Sequence, residues 1–323
     1  MSGPGGSRRC RGVTSAARVG RALVVLGIAL ASPGAAWADE GGASFWIPGQ
    51  AAENLAATMP SPGWSVPVTY YYYAGSAPDS VSTGYGAAVA PGTRSRTSLV
   101  TFTPTYAPST PLLGGQLALA VSLGVAGEWT QVAQGAADPY SQTVWGFTDV
   151  APAATLGWQR GANAWAVYVT GNVPVGSYDS TRLSNVGLGR AALDAGALYT
   201  YQLGDGGPSA SAALGMTYNF TNPETDYRSG IDAHLDVSAM MPLSASWRAG
   251  LSGYVYYQLT GDGGSGNACG PCKSRVAGVG PQVNYAFGAA GPSWSANLRG
   301  YYEFWARNRL QGYAVFASLS IPL

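Results

Sequence analysis

The feature that most constrains this chain is an alternation of apolar and polar residues with a period of two. Between Ile231 and Met241, the residues Ile231, Ala233, Leu235, Val237 and Ala239 alternate with Asp232, His234, Asp236 and Ser238. Successive side chains of a strand point to opposite faces, so this segment presents one apolar and one polar face. The pattern returns in Trp247, Ala249, Leu251, Val255 and Tyr257 against Arg248, Ser252, Tyr254, Tyr256 and Gln258. It returns again in Trp294, Ala296, Leu298, Tyr302 and Phe304 against Ser295, Asn297, Arg299, Tyr301 and Glu303.

Such segments number about twelve, each about 10 to 14 residues, which is long enough to cross a bilayer when tilted. They fall near 64–74, 95–106, 116–127, 146–158, 163–174, 190–202, 208–220, 229–241, 246–259, 275–287, 293–305 and 312–323. The connections after even strands are short, whereas those after strands 1, 3, 5 and 9 run to about 15 or 20 residues rich in glycine, serine and aspartate, as in bacterial barrels with short periplasmic turns and long outer loops. An even strand count brings both termini to the periplasm. The fold expected is all-β: a transmembrane antiparallel up-and-down β-barrel of about twelve strands.

Composition separates this fold from a soluble β-sandwich. Charged residues are 10% of the chain, against about 25% in soluble domains. A sandwich needs charged outer faces; a barrel meets lipid there. Trp64, Tyr70, Tyr72, Trp158, Trp165, Tyr218, Trp247, Tyr257, Trp294, Tyr302 and Phe304 sit near strand ends, as two interfacial girdles would. Pro67, Pro104, Pro152 and Pro281 lie within expected strands and should each mark a bulge or local break.

The first 38 residues read as an export signal. Arg8, Arg9, Arg11, Arg18 and Arg21 form a basic leader, Ala22 to Ala31 a short apolar core, and Ala36-Trp37-Ala38 a small-x-small cleavage pattern. The core is too short for a membrane helix, and cleavage is expected after Ala38. Residues 39–63 are then an amino-terminal segment and 64–323 the barrel. Taking the five leader arginines from 17 basic residues leaves 12 against 16 acidic ones, which excludes nucleic acid as a partner. The partners expected are outer-membrane lipid, a small solute and the barrel-assembly machinery; the sequence leaves the oligomeric state open. In the amino-terminal segment, Phe45, Trp46 and Ile47 would be costly to expose together. They suggest a plug tucked into the lumen rather than a periplasmic tether, followed by a short helix over the alanine-rich residues 50–58.

The inward faces offer candidate contacts along a substrate path: Asp149, Tyr168, Arg190, Asp194, Asp232, His234, Asp236, Arg248, Tyr254, Tyr256, Arg299, Tyr301 and Glu303. Charges inside a barrel tune what passes and also pair to stiffen the wall. Asp232-x-His234-x-Asp236 has the spacing of a metal or acid–base site, yet His234 is the only histidine. Neither a metal site nor a catalytic group nor a cofactor is assigned, and wall polarity explains the triplet. Cys269-Gly270-Pro271-Cys272 matches a thioredoxin tetrapeptide, but that chemistry needs a helix N-terminus to activate the thiol. In a glycine-rich exported loop, a local disulfide between Cys269 and Cys272 is expected instead.

Three blocks resemble the outer-membrane family named for the meta pathway of phenol degradation: Glu40-Gly41-Gly42-Ala43-Ser44-Phe45-Trp46-Ile47-Pro48-Gly49; Phe147-Thr148-Asp149-Val150 with Leu156-Gly157-Trp158; and Val173-Pro174-Val175-Gly176-Ser177-Tyr178-Asp179 with Arg182-Leu183-Ser184-Asn185-Val186-Gly187. The resemblance implies an outer-membrane barrel, associated with aromatic catabolism, that takes up hydrophobic compounds. One departure is visible: Leu188-Gly189-Arg190-Ala191-Ala192-Leu193 stands where the family pattern continues with aromatic residues. The function expected is passive uptake of small hydrophobic or aromatic compounds, with a structural or adhesive surface barrel as the alternative and a barrel enzyme as a third reading.

Overall fold

The computed structural model describes residues 1, 39–54, 61–77, 81–82, 88–89, 93–134, 137–267, 271–287 and 294–323. The export leader and Cys269, and with it the expected disulfide, lie outside the described residues. Fourteen hydrogen-bonded pieces form one antiparallel sheet. Two pairs of pieces are each one interrupted strand, so the barrel has twelve. They are β1 (Gly63–Ser76), β2 (Arg94–Phe102 and Thr105–Ala107), β3 (Gln116–Gln134), β4 (Ala137–Phe147 and Ala151–Arg160), β5 (Asn163–Asn172), β6 (Ala192–Gln202), β7 (Ser209–Asn219), β8 (Asp232–Pro242), β9 (Trp247–Gln258), β10 (Arg275–Ala286), β11 (Ser295–Arg307) and β12 (Gln311–Pro322). Each strand pairs with its sequence neighbours, and β1 pairs with β12 from Ser65↔Pro322 to Ser76↔Gln311, which closes the sheet. Closure matters physically, because an open edge would leave backbone N–H and C=O groups unpaired in lipid.

The alternation in sequence becomes inside and outside. On β8, Asp232, His234, Asp236 and Ser238 are buried in the lumen while Val237, Ala239 and Met241 are exposed. On β3, Leu119, Val121, Leu123 and Val125 point outward, each 40–46% exposed, opposite the inward Ala118 and Ala126. Aromatic pairs collect at both rims. Trp64 meets Tyr106 at 5.0 Å and Trp247 meets Tyr285 at 4.5 Å at the short-turn end; Tyr218 meets Phe220 at 5.0 Å and Tyr257 meets Trp305 at 6.5 Å at the loop end.

Two features differ from the sequence expectation. The residues after the third expected strand are not a loop: β3 and the first part of β4 continue as a two-stranded hairpin, from Val125↔Phe147 to Gln134↔Ala137. The prolines do interrupt pairing, but three of them act together. The β1–β2 ladder runs Ser65↔Thr105 and then Val68↔Phe102; between them the Thr103 N–H still donates to the Pro67 carbonyl (2.9 Å), but neither Pro67 nor Pro104 has an N–H to return. On the next two strands, β3 pairs with the lower part of β4 through Val121↔Pro152 and with the upper part through Val125↔Phe147, a shift of one residue around Thr148–Val150. A proline has no N–H to give the ladder, and the extra residue forms a bulge that turns Asp149 aside. Pro281 keeps its partner Leu251 on β9 but falls in a gap of the β10–β11 ladder between Val279 and Gln282.

Candidate permeation path and lumen segment

The amino-terminal segment passes down the inside of the barrel. Asp39 sits at the loop end, where its carboxylate accepts hydrogen bonds from Tyr256 Oη (2.7 Å) and Ser274 Oγ (2.9 Å). Glu40 pairs with Arg190 (3.6 Å) and accepts from Thr225 Oγ1 (2.6 Å) and Asn222 Nδ2 (3.0 Å), and its backbone N–H donates to Ser229 Oγ (3.1 Å). Arg190 also donates to the carbonyl of Ala43 (2.8 Å). Lower down, Asp236 accepts from the N–H groups of Gly49 (3.1 Å) and Ala51 (3.0 Å). Arg299 donates to the carbonyls of Gly49 (3.2 Å) and Gln50 (3.1 Å), and Gln282 donates to that of Ala52 (2.9 Å). A short 3-10 helix, Gln50–Asn54, ends the described part of the segment and is tighter than an α-helix. The wall thus supplies backbone partners that the segment, having no sheet neighbour, would otherwise lack.

Trp46 is the centre of this docking. Its ring stacks on His234 at 3.8 Å, with 12° between planes, and on Tyr168 at 5.7 Å. His234 Nε2 lies 3.0 Å from Asp194 Oδ2, which also accepts from Thr217 Oγ1 (2.5 Å), while Tyr168 Oη donates to the other oxygen at 2.7 Å. A carboxylate only accepts, so Nε2 carries the hydrogen. The remaining ring nitrogen, Nδ1, is buried without a partner. Gly49 is required by its backbone, φ +85°, and by space: a Cβ there would lie 2.8 Å from Tyr301 and 2.9 Å from Tyr254.

Opposite the segment, along β1 to β4, the lumen stays open as a cavity of about 640 Å³. A row of hydroxyls lines one side of it: Thr69, Ser95, Thr97, Thr101, Thr103 and Ser122. The rings of Tyr71, Tyr73, Tyr254, Phe316 and Phe45 line it as well. Glu128 accepts from Thr97 Oγ1 (2.5 Å) and from Ser95 Oγ; Glu303 accepts from Tyr254 (2.7 Å) and Tyr73 (2.9 Å). The stretch between β5 and β6 folds back over the cavity. Asp149, in the β4 bulge, receives the N–H groups of Gly176 and Leu188, both at 2.8 Å, and Asn172 Nδ2 at 2.7 Å. Gln142 Oε1 receives those of Leu183 (2.8 Å) and Ser184 (3.0 Å). A Cβ on Gly176 or Gly187 would fall within 2.9 Å of Asp149, so the tight apposition needs both glycines.

Of the thirteen expected path residues, Asp149, Arg190, Tyr254, Arg299 and Glu303 line this cavity, as do Phe45, Trp46 and Ile47. Tyr168, Asp194, Asp232, His234, Asp236, Tyr256 and Tyr301 do not: they lie beneath or around the amino-terminal segment. Arg248 is at the short-turn rim, where it donates to Gly206 (3.2 Å) and Gly207 (2.8 Å) carbonyls of the β6–β7 turn. The hydroxyl face of β2 stands in the sequence as Ser95-x-Thr97-x-Leu99-x-Thr101-x-Thr103, a period-two signal that carries neither charge nor aromaticity to mark it. In the loops, burial first and then neighbouring Asp39 push the Asp262 carboxyl up to about 7. Asp179, exposed and bonded by the Thr181 hydroxyl and N–H, is held below the usual carboxylate range. Among the described residues, no group of three His, Cys, Asp or Glu side chains is arranged to hold a metal ion.

A closed sheet with an apolar outer belt, aromatic rims and a polar, partly filled lumen defines a transmembrane β-barrel of outer-membrane type. The chain belongs to the family described as "Putative MetA-pathway of phenol degradation", whose profile matches residues 78–319. Among solved structures it is similar to an outer membrane channel from Pseudomonas putida F1, with a TM-score of 0.65, 13% identity, and coverage of 84% of this chain and 98% of that one. Weaker similarities include the translocator domain of the autotransporter NalP from Neisseria meningitidis (TM-score 0.44, 13% identity, 84% and 92% covered) and a FadL homologue from Pseudomonas aeruginosa (TM-score 0.40, 11% identity, 90% and 99% covered). No curated protein matches the sequence.

Proposed function

We propose that this protein is an outer-membrane channel for passive entry of small hydrophobic or aromatic compounds. The observation that carries the reading is the open half of the lumen. A cavity of about 640 Å³ lies within the range of about 300 to 1,000 Å³ that small ligands occupy. Its wall sets tyrosine and phenylalanine rings against rows of threonine and serine hydroxyls. A flat solute with one or two polar groups would stack on the former and exchange hydrogen bonds with the latter. The family description, which refers to phenol degradation, and the similarity to a channel support the same class. Passage is downhill, past the fold-back between β5 and β6 and alongside the amino-terminal segment. The structural or adhesive alternative keeps the same fold but transports nothing.

The test is uptake into liposomes carrying the refolded barrel, comparing phenol and toluene with a disaccharide and a small ion. Faster entry of phenol and toluene than of the disaccharide is the expected result. Equal leakage of all four would make the barrel a general pore, and no permeability to any would leave the structural alternative.

A further inference from the structure

A second cluster of titratable groups lies away from the cavity, at the loop end of the lumen, and its charges do not balance. Asp39 and Asp232 are fully buried and Asp262 is 6% exposed. One oxygen of Asp39 is used by Tyr256 and Ser274, but Oδ1 of Asp39 and Oδ1 of Asp232 are buried without a hydrogen-bond partner. Asp262 is bonded by Tyr227, Gln258 and the Gly230 N–H (2.9 Å), all neutral donors. Glu40 is the fourth carboxylate. The cations nearby are Arg190, already engaged by Glu40, Ala43 and Asn219, and Arg309, whose guanidinium stacks 4.6 Å over the Tyr256 ring. Buried charges without partners are expensive, so four carboxyl groups against two guanidiniums must either keep a proton or meet another cation. The metal reading fails for want of a suitable ligand group among the described residues.

Processing of the chain can create such a cation beside Asp39. The backbone nitrogen of Asp39 is a few bonds from its own unpaired carboxylate oxygen. It follows the small-x-small pattern Ala36-Trp37-Ala38 that a signal peptidase cuts. In the uncut chain it is a neutral amide with one hydrogen; after hydrolysis of the Ala38–Asp39 bond it is an ammonium with three, and Ala38 leaves as a carboxylate. We propose that processing cuts between Ala38 and Asp39, and that the α-ammonium created on Asp39 is the missing cation of the Asp39–Asp232–Asp262 cluster. The cut then does more than release the leader: it makes the charge that locks the top of the amino-terminal segment into the lumen. This inference is independent of what the barrel transports.

The first readout is the intact mass of the protein purified from outer membranes, expected to be that of residues 39–323. The second compares refolded barrels that begin at Asp39 with barrels carrying one added glycine, which turns the Asp39 nitrogen back into an amide and moves the ammonium one residue away. The barrel beginning at Asp39 should keep its folded gel mobility to a temperature several degrees higher. Asp232→Asn should shrink that difference, and Asp262→Asn gives a second reading should the first variant refold poorly. A mature terminus other than Asp39, or equal midpoints for the two starts, overturns the proposal.

Discussion

At the scale of single residues, the lumen is organised around side chains that hold the amino-terminal segment against one wall. His234 illustrates how much of this was legible. Its inward direction follows from the alternation along β8. What no periodicity could reveal is that its ring is covered by Trp46, because that contact joins residues 188 positions apart. Trp46→Ala removes the stack on His234 and Tyr168, a contact of about 1 kcal/mol beyond its buried area. The expected outcome is a larger single-channel conductance in planar bilayers, as the loosened segment yields space; an unchanged conductance would separate the segment from permeation. Gly49→Ala drives a methyl group into Tyr254 and Tyr301 and combines it with a positive φ. Overpacking of this kind costs about 1 to 3 kcal/mol, which should appear as a lower unfolding midpoint.

At the scale of elements, strand number and strand direction were readable because a bilayer demands them. Every spanning strand must be long enough, alternate strictly and pair on both sides. The same demand explains the failure at residues 128–145: a hairpin that projects beyond the membrane is free of it, so its polar composition resembled a loop. The prolines were correctly read as interruptions, but their joint placement depends on register, which only pairing reveals. Pro104 lies opposite Val121, whose N–H donates to the Pro104 carbonyl at 3.1 Å. Pro104→Val restores the reciprocal N–H, and a ladder hydrogen bond contributes about 1 kcal/mol net. A raised unfolding midpoint is expected; a lowered one would mean the break is needed for the fold.

Across the whole molecule, the two halves of the lumen divide the labour. Arg190 ahead of β6, Asp236 on β8 and Arg299 on β11 are charged groups that bind the segment, and β1 to β4 present the open hydroxyl wall. Sequence supplied the inward residues of both halves without distinguishing them, since a period of two reports a face and not what lies across from it. On the open side Glu128 is the carboxylate among the hydroxyls of β2 and β3. Glu128→Gln should reduce the preference for cations over anions, measured as the reversal potential under a salt gradient, because charged side chains along the path tune ionic selectivity. No shift would place the ionic route elsewhere.

The amino-terminal segment bonds to residues some 150 to 250 positions later in the chain. It precedes every strand of the barrel, yet much of the wall it rests on is made last. Its binding surfaces on β8, β10 and β11 do not exist until those strands have paired, and once β12 meets β1 the segment can no longer enter from the side. Assembly therefore has a chronology written into it: the earliest piece of chain must wait, unanchored, and be enclosed in the final act of closure.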